Sequence, residues 1–225
     1  MREIVLDTET TGFEPSEGHR ILEIAAIEIV NLMPTGRVFH TLIDPQRDVP
    51  PEATRVHGFT RLDLEGKPLF ADAAEAMLEF LGDSPIVAHN APFDFKHLDA
   101  ELIRCGRPAL NPARMVDSLV LARTTFPGAQ NSLDALCRRF AIDLSQRTTH
   151  NALLDVKLLA EVYLELRGGR QPGLVLGSAP VVQAMLREES APRTPRPILV
   201  SEEQLARFDA FLAKIKDPLW KKLEL

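Results

Sequence analysis

The sequence predicts an α/β protein in which helices pack against a mixed central sheet. Two observations favour this class. Three β-rich apolar runs come first, and short apolar strands then alternate with amphipathic helices. The chain has 225 residues, of which 45% are hydrophobic. That is enough for one domain of roughly 100–200 residues together with a further segment.

The first half of the sheet is predicted from three runs. Arg2 to Leu6 is a short buried strand, Ile21 to Val30 is a longer apolar run, and Arg37 to Ile43 alternates between apolar and polar residues. Short turns between the runs predict a meander. The segment that follows is rich in proline and charge and is predicted to be a loop.

Helix and strand alternate in the next part of the chain. Apolar residues at helical spacing predict a helix from Phe70 to Leu81, and Ser84-Pro85 introduces a fourth buried strand, Ile86 to Ala88. The remaining predicted elements, in order, are a helix from Phe93 to Cys105, a fifth strand at Met115-Val116, and helices from Ser132 to Phe140 and from Asn151 to Leu166.

The pattern changes at Gly168-Gly169, and this change predicts the domain organisation. We expect a folded domain over residues 1–168, a flexible linker over 169–200 and a C-terminal helical region over 201–225. The linker contains five prolines and has no long apolar period, although a short helical piece is predicted near residues 181–186.

The C-terminal region is predicted to form one amphipathic helix from Ser201 to Lys216. Ser201 followed by Gln204 is typical of a helix start. Four apolar residues then recur at helical spacing and form a stripe that a single helix cannot bury by itself: Leu205, Phe208, Leu212 and Ile215.

Composition excludes several classes of function. The formal net charge of −6 argues against a broad surface that coats duplex nucleic acid, although an enzyme that holds only a strand end remains compatible with it. No apolar stretch approaches the length of a membrane span, and no signal peptide precedes Ile4-Val5-Leu6. We therefore expect a cytoplasmic protein that does not bind a membrane.

Three clusters of chemically active residues lie near predicted element ends. Asp7 and Glu9 follow the first strand, and alternation points both to the same side. Two carboxylates so close require a cation such as Mg²⁺ or Mn²⁺. The alternative is a pair of solvated turn carboxylates.

Asp94 is predicted in the first turn of a helix that Ala91-Pro92 introduces, although an acid there is also favourable without any function. His150 and Asp155 lie five residues apart near a helix start, so one could act as a base and the other as a ligand in a single site. A lone histidine at such a position is more often a surface or capping residue.

Taken together, these clusters resemble the three motifs of the DEDDh family of 3′–5′ exonucleases. The resemblance covers residues 1 to about 168 and includes the strings around the acids: Ile4 to Gly12, His89 to Asp94, Asn131 to Cys137 and His150 to Asp155. It implies a ribonuclease H-like five-stranded sheet with helices on both faces. It also implies catalysis by Asp7, Glu9, Asp94, Asp155 and His150, in which the four acids hold two Mg²⁺ or Mn²⁺ ions.

Within the family, the chain is most similar to the proofreading epsilon subunits of bacterial DNA polymerase III, notably at Phe126-Pro127-Gly128 and Ala160 to Leu164. The resemblance implies single-stranded or frayed 3′ ends of DNA as substrate. It implies substrate contacts at Thr8, Thr10, Val56, His57, Asn90 and Phe93. The alternative for the Val56-His57-Gly58 segment is an ordinary loop with a solvent-facing histidine. Asn151 departs from the glycine expected there. Because asparagine tolerates left-handed backbone geometry better than most residues, we do not expect this departure to cost activity.

The tail resembles a set of partner contacts. Gln171, Leu174 and Leu176 resemble a peptide that binds bacterial sliding clamps, and the alternative is a linker with a few apolar residues. The C-terminal stripe and Trp220 resemble the tail with which epsilon subunits bind the catalytic subunit of a replicative polymerase. The alternative is that the helix packs back onto the first domain.

Two other functions remain open from the sequence. An exoribonuclease of the same fold would use the same metal chemistry, and only a contact with the 2′-OH would distinguish it. A non-catalytic adaptor would use the tail alone, although all five positions expected to carry the chemistry are present.

Overall fold

The computed structural model describes residues 1–145, 150–169 and 200–216. Its centre is a five-stranded sheet in the order β3-β2-β1-β4-β5. The first three strands are antiparallel neighbours, and β4 and β5 run parallel to β1. The strands are β1 (Arg2–Thr10), β2 (Ile21–Val30), β3 (Met33–Leu42), β4 (Ile86–Ala88) and β5 (Met115–Asp117). The predicted mixed sheet is confirmed.

Helices cover both faces of the sheet. Ile4 and Leu6 of β1 pack into one buried cluster with α3 (Phe70–Leu81) and α4 (Ala91–Arg104). Val5 belongs to a second cluster with α7 (Ala152–Leu166). Because successive side chains of a strand point to opposite faces, one strand supplies the core of both layers.

Two strands are longer than the sequence predicted. β1 continues to Thr10, since its pairing with β2 persists up to the pair of Thr10 with Ile21, so the first acids lie within the strand and not after it. β3 begins at Met33 because Asn31 and Leu32 form a tight turn with positive φ angles of 51° and 68°. A leucine rarely adopts that conformation, so the sequence offers no turn signal there.

Three short helices were not predicted. α1 (Pro51–His57) and α2 (Arg61–Leu64) lie in the segment predicted to be a loop, and α5 (Ser118–Thr125) follows β5 directly. Helices of four to eight residues contain too few turns to give a clear apolar period. Predicted helix bounds elsewhere agree closely, including α6 (Leu133–Arg139).

The chain divides into two compact units, and the second contains α8 (Glu202–Leu212). The predicted helix start at Ser201 is confirmed: its hydroxyl accepts from the backbone N–H of Gln204, and the Gln204 side chain accepts from the backbone N–H of Ser201. The helix ends at Leu212, so Ile215 lies beyond it and the predicted stripe is shorter. The residues predicted to contact partners at Gln171, Leu174, Leu176 and Trp220 lie outside the described residues, as does nearly all of the predicted linker.

Within the described part of the chain, no helix combines the length and the apolar character needed to cross a membrane.

A buried ion pair joins the start of β2 to α4. Arg20 donates from Nε and Nη2 to the two carboxylate oxygens of Glu101 at 2.6 and 2.9 Å, and Glu101 is 1% exposed. We expect Glu101→Ala to lower the free energy of unfolding by about 3 kcal/mol, because it leaves the Arg20 charge without its partner in a largely buried place. Urea denaturation measures this loss.

Glu75→Ala is the matched control for that measurement. Glu75 pairs with Arg107 on the same layer, but its side chain is 77% exposed. Exposed ion pairs contribute less than about 1 kcal/mol. If Glu101→Ala and Glu75→Ala lower the free energy of unfolding equally, the larger contribution expected from the buried pair is contradicted.

Candidate active site

Four carboxylates converge at one end of the sheet. Asp7 and Glu9 are two residues apart on β1 and share a face of the strand. Asp94 lies in the first turn of α4 and Asp155 in the first turn of α7. The backbone N–H and the hydroxyl of Thr8 donate to Oδ1 of Asp94 at 3.1 and 2.8 Å, which ties α4 to the strand that carries the first two acids.

His150 joins this group from the residues that precede α7. Ligand atoms of Glu9, His150 and Asp155 all lie within 4.8 Å of one another, so these residues could hold a metal ion. Nδ1 of His150 is 3.4 Å from Oδ2 of Asp155. The Asp155 side chain is buried and that of His150 is half-exposed. The backbone N–H of His150 donates to the carbonyl of Val56 at 3.1 Å, which links this segment to α1.

The carboxylates are electrostatically unfavourable without a cation. Burial, followed by the charge of Asp94, raises the pKa of Asp7 well above its ordinary value. Burial also raises the pKa of Glu9 to about 8 and that of Asp94 to about 7, in the latter case against the hydrogen bond from Thr8. Clustered oxygen donors with such pKa values fit the ligand set that hard divalent cations prefer.

These pKa values predict how stability depends on pH. Between pH 6.5 and 9, the free energy of unfolding of the metal-free protein should fall by about 2 kcal/mol. The reason is that the folded protein keeps protons on Glu9 and Asp94 that the unfolded chain has already lost. His57, whose pKa burial lowers to about 4, opposes this fall by less than about 0.5 kcal/mol, because the unfolded imidazole is still partly protonated at pH 6.5.

Divalent ions should reverse this trend, because they bind the deprotonated carboxylates. We expect the rise in melting temperature on addition of Mg²⁺ or Mn²⁺ to be larger at pH 8.5 than at pH 6.5. Thermal unfolding in EDTA, with divalent ions and with NaCl at equal ionic strength, measures both effects. If the free energy of unfolding in EDTA rises between pH 6.5 and 9, the raised pKa values of Glu9 and Asp94 are contradicted.

A cleft of about 470 Å³ opens beside the carboxylates. Five of the predicted substrate contacts line it: Thr8, Thr10, Val56, His57 and Phe93. Asn90 is not among its lining residues. The Asn90 backbone N–H donates to Asp117 at 3.1 Å, and the residue has a left-handed conformation with φ of 70°. The roles of all six residues remain predictions.

His57 is buried and not solvent-facing, so the alternative of an exposed loop histidine is wrong. It is 4% exposed, and its Nδ1 accepts a hydrogen bond from the backbone N–H of Phe59 at 3.1 Å. Burial lowers the pKa of His57 to about 4. The neutral ring therefore carries its proton on Nε2, which is buried without a partner among the described residues.

Sequence reasoning missed much of the cleft wall. Pro50, Glu52 and Ala53 contribute from the start of α1, and Phe13, His19 and Gly12 contribute from the segment after β1. A helix start could have been predicted for α1, because proline at the first position and an acid in the first turn are typical of one. Phe13 is 79% exposed and meets Phe93 edge-on, with 6.4 Å between ring centroids.

Gly12 permits the close approach of His19 to the cleft wall. A Cβ atom at position 12 would lie 2.3–2.5 Å from three atoms of the His19 imidazole. We expect Gly12→Ala to displace His19 and to raise KM for the DNA 3′ end that the sequence predicts as substrate about tenfold, which corresponds to roughly 1.4 kcal/mol of lost binding. Steady-state kinetics measure this change.

The double variant Gly12→Ala/His19→Ala tests the steric origin of that effect. Removing the imidazole relieves the clash, so the double variant should bind DNA better than Gly12→Ala alone. A KM in Gly12→Ala equal to that of the unaltered protein would contradict the argument.

Asn151 immediately precedes the first residue of α7. Its backbone is extended, with φ of −144°, and its side chain accepts a hydrogen bond from the backbone N–H of Leu154 at 3.1 Å. The residue is thus the N-cap of α7, a position that asparagine favours strongly. Position 151 therefore does not need the left-handed geometry that glycine allows.

Comparison with known proteins agrees with this fold and arrangement. The exonuclease family model matches residues 4–163. The chain is similar in structure to exonuclease X in complex with 5′ overhanging duplex DNA, at 26% identity and a TM-score of 0.57, over 72% of this chain and 89% of that one. The structure of exonuclease I shares the fold, at 21% identity and a TM-score of 0.63, over 76% of this chain and 41% of that one.

Close relatives narrow the assignment. The DNA polymerase III subunit epsilon of Rickettsia conorii is 46% identical over 222 residues, which is 96% of each chain. That of Escherichia coli K12 is 48% identical over 176 residues, 75% of this chain and 72% of its own. The chain belongs to the exonuclease family and, within it, to the epsilon subunits of DNA polymerase III. It is a proofreading 3′–5′ exonuclease, as the sequence predicted.

Proposed function

We propose that the protein removes nucleoside 5′-monophosphates from DNA 3′ ends by hydrolysis that requires two Mg²⁺ or Mn²⁺ ions. The main support is the cluster of four carboxylates beside a cleft, in which burial raises the pKa values of Asp7, Glu9 and Asp94. A volume of about 470 Å³ is suitable for one small ligand such as a terminal nucleotide.

The four acids would hold the two ions when these bind. Asp7, Glu9 and Asp155 would be ligands of one ion, and Asp7 and Asp94 would help to hold the other. Bound ions of this kind stabilise the attacking and leaving oxygens of an in-line displacement at phosphorus. Thr8 supports the second set, because its two hydrogen bonds fix the carboxylate of Asp94.

His150 acts as the general base. Its half-exposed ring lies at the edge of the carboxylate cluster, where water can reach it, and Asp155 lies 3.4 Å from Nδ1. It removes a proton from the water that attacks phosphorus, and the bond from phosphorus to the 3′-oxygen of the penultimate nucleotide breaks. The product is a nucleoside 5′-monophosphate.

The cleft holds the terminal nucleotide without reading its sequence. Phe13 and Phe93 offer aromatic surfaces on which a base can stack, and Nε2 of His57 offers a hydrogen-bond donor. Stacking tolerates every base, which suits an enzyme that must remove any of them. Unpaired ends are preferred, because a nucleotide must leave the duplex to enter the cleft and a mismatch lowers that cost.

The partners of the relatives indicate partners for this chain. Because the relatives are named as subunits of DNA polymerase III, we expect α8 and Trp220 to bind the catalytic subunit of a replicative polymerase. The peptide around Gln171 to Leu176 is proposed to bind a sliding clamp. In this organisation, residues 1–168 are the exonuclease domain, 169–200 the linker and 201–225 the polymerase-binding region of a cytoplasmic protein.

Trimming of four labelled strands tests the proposed substrate. These are single-stranded DNA, a matched primer-template, a primer-template with a terminal mismatch, and RNA of the same sequence. We expect the mismatched and single-stranded DNA ends to be trimmed fastest and all trimming to stop in EDTA. Faster trimming of RNA would support the exoribonuclease alternative, and no trimming of any strand would support the adaptor.

Capture experiments test the proposed partner. The full chain should bind the catalytic subunit of the polymerase, and residues 1–168 alone should not. Equal binding by both would locate the contact on the exonuclease domain and contradict the role of the tail.

A further inference from the structure

Glu23 is a buried carboxylate to which the proposed mechanism assigns no role. It lies on β2 and is 0% exposed. Its Oε2 accepts from the backbone N–H of Ala152 at 3.0 Å, and its Oε1 accepts from Nδ2 of Asn151 at 3.4 Å. Nε2 of His40, on β3, lies 2.7 Å from the same Oε1. A carboxylate with this many donors is held in one orientation.

These hydrogen bonds fix the start of α7. Ala152 is its first residue, so its N–H belongs to the donors that have no partner within the helix. Glu23 supplies that partner from the sheet, and the Asn151 side chain supplies another for Leu154. The first turn of α7, which contains Asp155, is therefore attached to β2 by a charged group.

Glu23 also lies beside the acids of the sheet. In the antiparallel register of β1 and β2, Glu23 is directly opposite Glu9. One residue thus joins the strand pair that carries Asp7 and Glu9 to the helix that carries Asp155. His150 precedes the contacted residue Ala152 by two positions.

We propose that Glu23, oriented by His40, is a positioning residue that sets the separation between Glu9 and the pair formed by His150 and Asp155. The proposal rests on the roles assigned above to those three residues. A glutamine at position 23 offers one acceptor oxygen where the carboxylate offers two, and its amide group would face a donor. The start of α7 must then shift, and a shift of about 1 Å at a reacting group can cost roughly 10²-fold in rate.

The test uses the full-length chain with Glu23→Gln. We expect kcat to fall about 10- to 100-fold and the Mg²⁺ concentration for half-maximal activity to rise about tenfold, with KM for DNA little changed. A second readout requires no substrate: the increase in melting temperature on addition of Mn²⁺ should shrink. Glu23→Asp keeps the charge and should recover part of both losses.

Glu28→Gln is the matched control. Glu28 is a buried carboxylate on the same strand, but it binds Arg2, Thr35 and Arg37 and not α7. Its replacement should lower stability without changing the Mg²⁺ requirement. If Glu23→Gln does not fold, His40→Ala takes its place, since His40 is one-third exposed and its loss should raise the Mg²⁺ requirement about threefold.

The outcomes separate this proposal from the proposed function. If the unaltered protein does not trim DNA, or Asp7→Asn still trims it, the proposed function fails. Suppose instead that the unaltered protein trims DNA and Asp7→Asn does not. The positioning role is then overturned if Glu23→Gln, or His40→Ala in its place, has the same Mg²⁺ requirement and the same Mn²⁺-dependent stabilisation as the unaltered protein.

Discussion

Asp7→Asn should lower the exonuclease rate at least about 10³-fold, the equivalent of roughly 4 kcal/mol of transition-state stabilisation. Asp7 lies on the central strand β1, next to Glu9, Asp94 and Asp155, and is the acid proposed to contact both ions. Asparagine has nearly the same shape but provides a neutral oxygen ligand. Single-turnover trimming of single-stranded DNA measures the rate.

The same substitution should not weaken the metal-free protein. Burial raises the pKa of Asp7 well above its ordinary value, so the folded state holds a proton there that the unfolded chain loses near pH 4. At pH 8 the ionisable Asp7 side chain therefore lowers the free energy of unfolding, and asparagine removes that unfavourable contribution. We expect the urea midpoint in EDTA to stay equal or rise.

Asp72→Asn is the control for both measurements. Asp72 lies in the first turn of α3, where its carboxylate accepts from the backbone N–H of Leu69 at the surface. Its replacement should leave the trimming rate unchanged. A rate for Asp7→Asn within about tenfold of the unaltered protein would remove Asp7 from the centre of the reaction.

His150→Ala should lower kcat by about 10²- to 10⁴-fold, the usual contribution of a positioned general base. The ring of His150 is half-exposed and contacts Asp155, so its removal creates no large cavity. KM for DNA should change little, because no part of the cleft wall is formed by this ring. Steady-state kinetics at saturating Mg²⁺ measure the effects on kcat and on KM separately.

Thermal unfolding distinguishes a base from a metal ligand at this position. His150 shares a possible metal-binding group with Glu9 and Asp155, so it could instead bind an ion. If it is the base, His150→Ala should keep most of the rise in melting temperature that Mn²⁺ causes. If His150→Ala loses both the trimming rate and the rise in melting temperature caused by Mn²⁺, His150 is a metal ligand.

The large elements of the fold could be predicted because each buries a long periodic stripe. α3 was predicted from Phe70 to Leu81, and the structure has the same bounds. Such a segment forms a helix because its apolar residues, at helical spacing, are buried against the sheet. α1 has only seven residues, too few for a period, so the part of the cleft wall formed by its start was missed.

Local spacing was enough to place Asp7 and Glu9 side by side, whereas the residues that support them could not be predicted. Asp7 and Glu9 share a face simply because they are two residues apart on a strand. Glu23 occupies an ordinary strand position in a run that is buried on both faces. Its partners, His40 and Ala152, are 17 and 129 residues away in the sequence, so only the folded chain brings them together.

Metal-dependent hydrolysis at the 3′ end is tested by the fate of oxygen when the protein trims single-stranded DNA in ¹⁸O-labelled water with Mg²⁺. We expect stepwise release of nucleoside 5′-monophosphates from the 3′ end, each with one ¹⁸O on its phosphate, and no release in EDTA. Internal cleavage, release from the 5′ end, or trimming that persists in EDTA would contradict this expectation.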